Sequence, residues 1–215
     1  MCTEEDVNLR RGMNFRLKKK RSVVLMSLRL DAPYADRVED EGRTLIYEGH
    51  DVGKQPGIDP KRVDQPASYP NGQPTQNALF FQAAQRYKSS EGEAEIVKVY
   101  EKIKPSIWVY NGLFRLVDAW QETSNGRKVY KFKLELATTP TRTQPAEPEH
   151  NRMIPTSVKI EVWKRDRGRC VKCGRTDNLH FDHIIPYSKG GSSLVAENIQ
   201  ILCARHNLEK LAKIQ

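Results

Sequence analysis

The chain has no long apolar run. Stretches such as Val23–Met26 and Ala78–Phe81 are far short of the roughly 18 or more residues a membrane helix needs. No secretory signal is expected, since Met1-Cys2-Thr3-Glu4-Glu5-Asp6 has no cationic stretch leading into an apolar one. Cysteine is scarce, four in 215 residues. Aromatics are not scarce at 8%, and 38% of the chain is hydrophobic, which excludes wholesale disorder. Acid is in deficit: 27 Asp and Glu stand against 36 Lys and Arg, a net charge of +9. The expectation is a soluble cytoplasmic protein with a polyanionic partner.

The basic excess is uneven. Residues 151–215 hold twelve basic and six acidic side chains, while 1–150 hold 24 and 21. Such a patch suits nucleic acid or an anionic membrane, and also an ordinary solvated face. The cysteines narrow this. Cys2 stands alone, and Cys170, Cys173 and Cys203 cluster. Three thiols make a poor disulfide framework without a signal peptide. With His206 they form two C-x-x-(C/H) knuckles about thirty residues apart, the donor set of a structural zinc. A helix expected over Ile199–Gln215 would put Cys203 and His206 about 60° apart on one face.

A Pro-rich segment, 138–155, carries four prolines and no apolar periodicity, and reads as an extended linker between two domains. Before it, 1–137 is mostly β. Short β-branched or aromatic runs fall at 22–30, 44–47, 96–100, 107–110, 113–121 and 128–136. Ser124-Asn125-Gly126 joins the last two as a hairpin turn. One helix is expected over 75–87, and 49–72 is a long Pro/Gly-rich loop. After the linker, 156–215 should open with a helix to about Asp166, capped by Thr156 or Ser157. A strand pair or bent strand then covers 178–186, and the C-terminal helix follows, with Ile201, Leu202, Leu208 and Leu211 as its buried stripe.

Between the knuckles stand His180-Phe181-Asp182-His183-Ile184-Ile185-Pro186, Gly190-Gly191 and Glu197-Asn198. Over about 158–213 the chain resembles the HNH nuclease family. The resemblance implies a ββα-metal fold stapled by structural Zn²⁺. It makes His183 the general base, Asp182 and Asn207 the ligands of a catalytic Mg²⁺ or Mn²⁺, and Asn198 the residue that orders the loop. The chemistry asks for these groups: an imidazole titrates near the pH at which a water must be deprotonated, and oxygen ligands suit a hard cation. Asp182 and His183 are neighbours, which a regular strand would aim at opposite faces, so a bulge or strand end is expected there. His180 reads as a packing or surface histidine.

In the first domain, Tyr34-Ala35-Asp36-Arg37-Val38, Leu45-Ile46-Tyr47-Glu48-Gly49, Pro60-Lys61-Arg62-Val63-Asp64-Gln65, Gln76-Asn77-Ala78-Leu79 and Tyr110-Asn111-Gly112 occur in order. Over about 16–136 this resembles the SRA (YDG) domain, a PUA-like barrel that reads modified cytosine. The resemblance implies that 5-methylcytosine is flipped from double-stranded DNA between two rings, here Tyr34 and Tyr47. It makes Asp36 the nearest candidate for reading the cytosine edge, although Arg37 occupies one acidic position of the pattern. Lys61 and Arg62 match a basic finger that enters the duplex. Flipping costs a few kcal/mol, offset by stacking and edge hydrogen bonds.

Taken together these readings describe an α+β chain, a mostly-β SRA-like barrel followed by a small zinc-stapled HNH unit. The expected activity is cleavage of DNA bearing 5-methylcytosine or 5-hydroxymethylcytosine. One HNH centre breaks one strand, so a double-strand cut implies two copies, which a homodimer would supply. Two other readings stand beside it: an HNH nuclease whose first domain reads sequence or structure, and a zinc-stabilised DNA-binding protein without activity. Asp182, His183 and Asn207 are all present, which speaks against the last.

Overall fold

A computed structural model describes residues 9, 11–17, 21–29, 31–137 and 153–210. The chain forms two compact units, 1–39 with 44–138 and 40–43 with 139–215. Most of the Pro-rich segment, Lys18–Lys20 of the basic stretch, and Leu211 lie outside the described residues. Among those described, no helix is long and apolar enough to cross a membrane.

Among the described residues, the first unit is one seven-stranded sheet with a single α-helix. Its strands are β1 (Met13–Asn14), β2 (Ser22–Met26), β3 (Arg37–Glu39), β4 (Thr44–Glu48), β5 (Glu95–Lys104), β6 (Ile107–Ser124) and β7 (Arg127–Leu136). The order is β1-β2-β5-β6-β7-β4-β3, with β2 and β5 parallel and every other pair antiparallel. Helix α1 (Gln76–Lys88) opens on Thr75, whose hydroxyl accepts from the Ala78 amide, and lays Phe80, Ala83 and Ala84 inward. Phe80 meets Phe132 of β7 edge-on at 5.9 Å.

The two runs expected at 107–110 and 113–121 are a single strand. Val99 pairs with Gly112 and Tyr100 with Tyr110, so Asn111 is the extra residue of a β-bulge. Its amide donates to Glu101, which is fully buried, at 3.0 Å. The Tyr110-Asn111-Gly112 signature thus interrupts the apolar alternation without ending the strand. The expected hairpin turn is present, with Asn125 and Gly126 both left-handed between β6 and β7.

The second unit holds α2 (Thr156–Arg165), β8 (Leu179–His183), β9 (Ile199–Cys203) and α3 (Ala204–Lys210). Helix α2 starts after Pro155 with no side-chain cap, so neither Thr156 nor Ser157 plays that part. Its Val158 and Val162 pack with Ile199 and Ile201 of β9, and Leu179 and Phe181 of β8 close over them. The helix expected to begin at Ile199 begins at Ala204. All five residues of 199–203 are buried and pair antiparallel with β8. A fully buried apolar run has no exposed face to reveal its period, so strand and helix look alike in sequence. Leu208 is accordingly exposed and not part of a buried stripe.

Candidate functional sites

The Cys170–Cys173 turn is held by the Cys170 amide on Arg175 O and the Gly174 amide on Cys170 O. Cys203 ends β9 and His206 lies in the first turn of α3, so a strand-to-helix junction brings them together, where a single helix face was expected. The ligand atoms of Cys170, Cys173, Cys203 and His206 all lie within 4.8 Å of one another. His206 Nδ1 is 3.3 Å from Cys170 Sγ and 3.4 Å from Cys203 Sγ, and Cys173 Sγ is 3.9 Å from Cys203 Sγ. A tetrahedron with Zn–S bonds of about 2.3 Å has S–S edges of roughly 3.8 Å, so the residues fit zinc. Burial pushes the Cys170 thiol up, but amide donation from Cys203, Lys172 and Cys173 and a bond to His206 outweigh it and bring it to about 6. The sulfur is thus disposed toward the thiolate a metal binds.

Beside this cluster, β8 ends at His183, the strand end expected for the Asp182-His183 pair. Asp182 faces Gln200 across the ladder, and Gln200 Nε2 lies 3.4 Å from its Oδ2. The same oxygen takes the Lys210 ammonium at 2.6 Å. Lys210 is 1% exposed and also donates to the His183 carbonyl, so α3 clamps the end of β8. His183 turns the other way: its Nε2 is 2.8 Å from Ser193 Oγ, with the Tyr187 ring nearby. Asn198 accepts from the Ile185 amide at 2.8 Å and donates to Ser192 O at 2.9 Å, tying both ends of the loop. That loop has no room at Gly191, where a Cβ would sit 1.9 Å from Ile185 O. His180 is exposed, on the strand face it shares with Asp182. Asn207 stands in α3 one residue after His206.

In the first unit, the segment before β3 carries Tyr34, Ala35 and Asp36. Asp36 accepts from the Glu48 amide at 2.9 Å and the Ser27 amide at 3.1 Å, one on each oxygen. Burial pushes its carboxyl up to about 7 despite these donors. Glu48 accepts from the Ala35 amide at 3.2 Å and pairs with Lys131 at 2.8 Å, both buried. Arg127 reaches Glu48 at 3.4 Å and Asp51 at 2.6 Å, and Asp51 meets Lys61 at 2.8 Å. A chain of alternating charge therefore runs from the core out to Lys61. Lys61, expected in a basic finger, is exposed and lies over Tyr34. Its ammonium lies 4.1 Å above the Tyr34 ring and also donates to Pro33 O. Arg62 is the more exposed of the two, 3.5 Å from Asp59.

Tyr47 is 1% exposed, and its hydroxyl reaches Gly12 O, Leu25 O and His50 Nε2. The ring that Tyr34 meets is His50, parallel within 10° at 5.2 Å. Burial pushes the His50 imidazole down to about 4. Sequence reasoning missed His50, Glu48, Asp51, Arg127, Lys131, Ser193 and Lys210. Only Glu48-Gly49-His50-Asp51, directly after Tyr47, carried a signal: three polar residues closing an apolar strand. A cleft of about 470 Å³ lies among Arg16, Arg21, Arg86, Glu91, Glu93 and Glu95 of the first unit.

Residues 170–212 match the family model described as HNH endonuclease. The second unit therefore carries an HNH endonuclease domain. No curated protein matches the chain. Among solved structures, the chain is similar to the SUVH5 SRA domain in complex with fully methylated CG DNA, at 23% identity over 65% of this chain and 78% of that one, TM-score 0.41. The same SRA domain bound to fully hydroxymethylated CG DNA matches at 23% identity over 65% and 80%, TM-score 0.41. Arabidopsis thaliana SUVH6 in complex with SAM matches at 19% identity over 83% of this chain and 28% of that one, TM-score 0.40.

Proposed function

We propose that this chain is a modification-dependent endonuclease, in which residues 1–137 read 5-methylcytosine or 5-hydroxymethylcytosine in double-stranded DNA and residues 156–215 cut the backbone. The observation that carries the nuclease half is His183, at the end of β8 with its Nε2 on Ser193, inside the segment that matches the HNH family. His183 takes the proton from the attacking water at Nδ1, while the contact of Nε2 with Ser193 Oγ orients the ring. Asp182 and Asn207 would hold a hard divalent cation, Mg²⁺ or Mn²⁺. Lys210 and Gln200 occupy Asp182 Oδ2, which leaves Oδ1 for the ion. When bound, such an ion supplies charge stabilisation at the scissile phosphate. Zinc on the four knuckle residues supplies fold, since a unit this small has little core of its own.

The reader half is supported by the ordered motifs from Tyr34 to Gly112 and by the rings and carboxylates gathered around Tyr34. Tyr34, His50, Asp36 and Asp51 combine ring faces with carboxylates, the chemistry that stacks a base and reads an amino edge. Arg62 contributes an exposed cation for phosphate. Digestion of matched plasmids with and without cytosine methylation, in Mg²⁺ and in Mn²⁺, tests the whole reading. Cutting confined to the methylated plasmid is expected. Equal cutting of both would leave an HNH nuclease that reads sequence or structure.

A further inference from the structure

We propose that the second stacking face of the base pocket is His50, and that Tyr47 acts through it as a positioning residue. This rests on the reading of the first unit as a flipped-base reader. Tyr47 offers no face to stack on, being 1% exposed with its hydroxyl already engaged. That hydroxyl has one proton, and the carbonyls of Gly12 and Leu25 can only accept it. Donation to Gly12 O at 3.1 Å leaves the oxygen to accept Nε2–H from His50 at 3.0 Å. The phenol therefore fixes the plane and tautomer of the imidazole.

The rest of His50 is built in as firmly. Its amide donates to Asn77 Oδ1 and its carbonyl accepts from Asn77 Nδ2, both at 2.8 Å, and Asn77 is buried. Gly12 leaves the space the ring needs, since a Cβ there would sit 2.7 Å from His50 Nε2. Nothing in an ordinary β-turn calls for such support, but a stacking wall does. The ring is parallel within 10° to Tyr34 and tilted by 40° from Tyr47. Burial keeps it neutral at physiological pH, so a base stacks on it without burying a charge.

At 5.2 Å the Tyr34–His50 pair is closed. A base between two rings needs two gaps of roughly 3.5 Å, about 7 Å in all. His50 is fixed on three sides, so Tyr34 is the jaw that opens. What covers Tyr34 is the Lys61 ammonium, held by Asp51 and Pro33 O. A DNA phosphate competes for that ammonium and frees the ring as the base arrives.

The test is competition binding of the full chain to duplexes of one sequence, methylated and plain, at fixed salt. His50→Ala should lower the preference for methylated DNA about tenfold or more, the scale of one lost stacking face. His50→Phe, which restores a ring, should recover most of it. Tyr47→Phe keeps the buried ring and removes only the hydroxyl, and should weaken the preference while affinity for plain duplex holds and the melting temperature falls by no more than one lost buried hydrogen bond allows. Should His50→Ala and Tyr47→Phe both keep the wild-type preference, the assignment of His50 is overturned while the reader stands. A wild type with no preference overturns the reader itself, and His50 with it.

Discussion

Burial moves the Asp36 carboxyl and the His50 imidazole in opposite directions. The Asp36 carboxyl rises from 3.8 to about 7, through burial and the charge of Glu48, held back by the Glu48 and Ser27 amides and Lys131. The His50 imidazole falls from 6.5 to about 4, through burial, Lys61 and Arg11, opposed by Asp51. Between about pH 4 and 6.5 the native state keeps a proton on Asp36 that the unfolded chain has lost. Over the same window the unfolded chain holds a proton on His50 that the native state excludes. The two contributions to stability oppose each other. Asp36→Asn leaves the histidine, so stability should rise with pH across that window. His50→Phe leaves the carboxyl, so stability should fall as pH rises from about 4 to 7. Denaturation midpoints along a pH series measure both slopes, and slopes of the same sign would refute the account. At the other site, His183→Ala should cut strand scission about 10²–10⁴-fold while zinc content and DNA binding stay intact. Nicking at the wild-type rate would remove His183 from the role of base.

Elements place these residues, and the sequence disclosed them unevenly. The α1 helix and the Asn125-Gly126 turn are local signals, and each was legible, although Thr75, expected inside the helix, caps it. The knuckles were legible because zinc demands fixed donor types at fixed spacing. Strand β9 was not, because burial on both faces erases the period that separates a strand from a helix. Lys210 was not, because its meaning comes from Asp182, 28 residues away, across a contact no local pattern encodes. The charge chain of Glu48, Lys131, Arg127 and Asp51 was hidden for the same reason: burial of Lys131 on alternating β7 reads as a surface lysine. Lys131→Met should therefore destabilise the first unit by about 3–5 kcal/mol, leaving Glu48 buried with less compensation. Thermal melts with Glu48→Gln added should show partial rescue, and an additive double variant would argue against the pair. Cys173→Ser should release zinc and unfold the second unit. Metal analysis finding no zinc in active protein would contradict this.

At the scale of the whole molecule, charge and stacking divide the work. A net charge of +9 makes binding to any duplex salt-sensitive, because it rests on displaced counterions. On the proposed reading, discrimination between methylated and plain cytosine would rest on the rings of Tyr34 and His50, which salt touches little. Raising salt should therefore weaken both affinities steeply while their ratio stays near constant, as titrations at several ionic strengths would show. A ratio that collapses with salt would place discrimination in phosphate contacts. The central claim is that reading and cutting belong to one chain. Its most direct measurement is the single-turnover cleavage rate of one duplex carrying a single 5-methylcytosine, against the same duplex carrying cytosine, at fixed salt and Mn²⁺. The account predicts fast cutting at a set distance from the modified base and little cutting of the plain duplex, with Tyr34→Ala bringing the first rate down to the second. Equal rates on the two duplexes, or cuts scattered without regard to the methylated position, would contradict it.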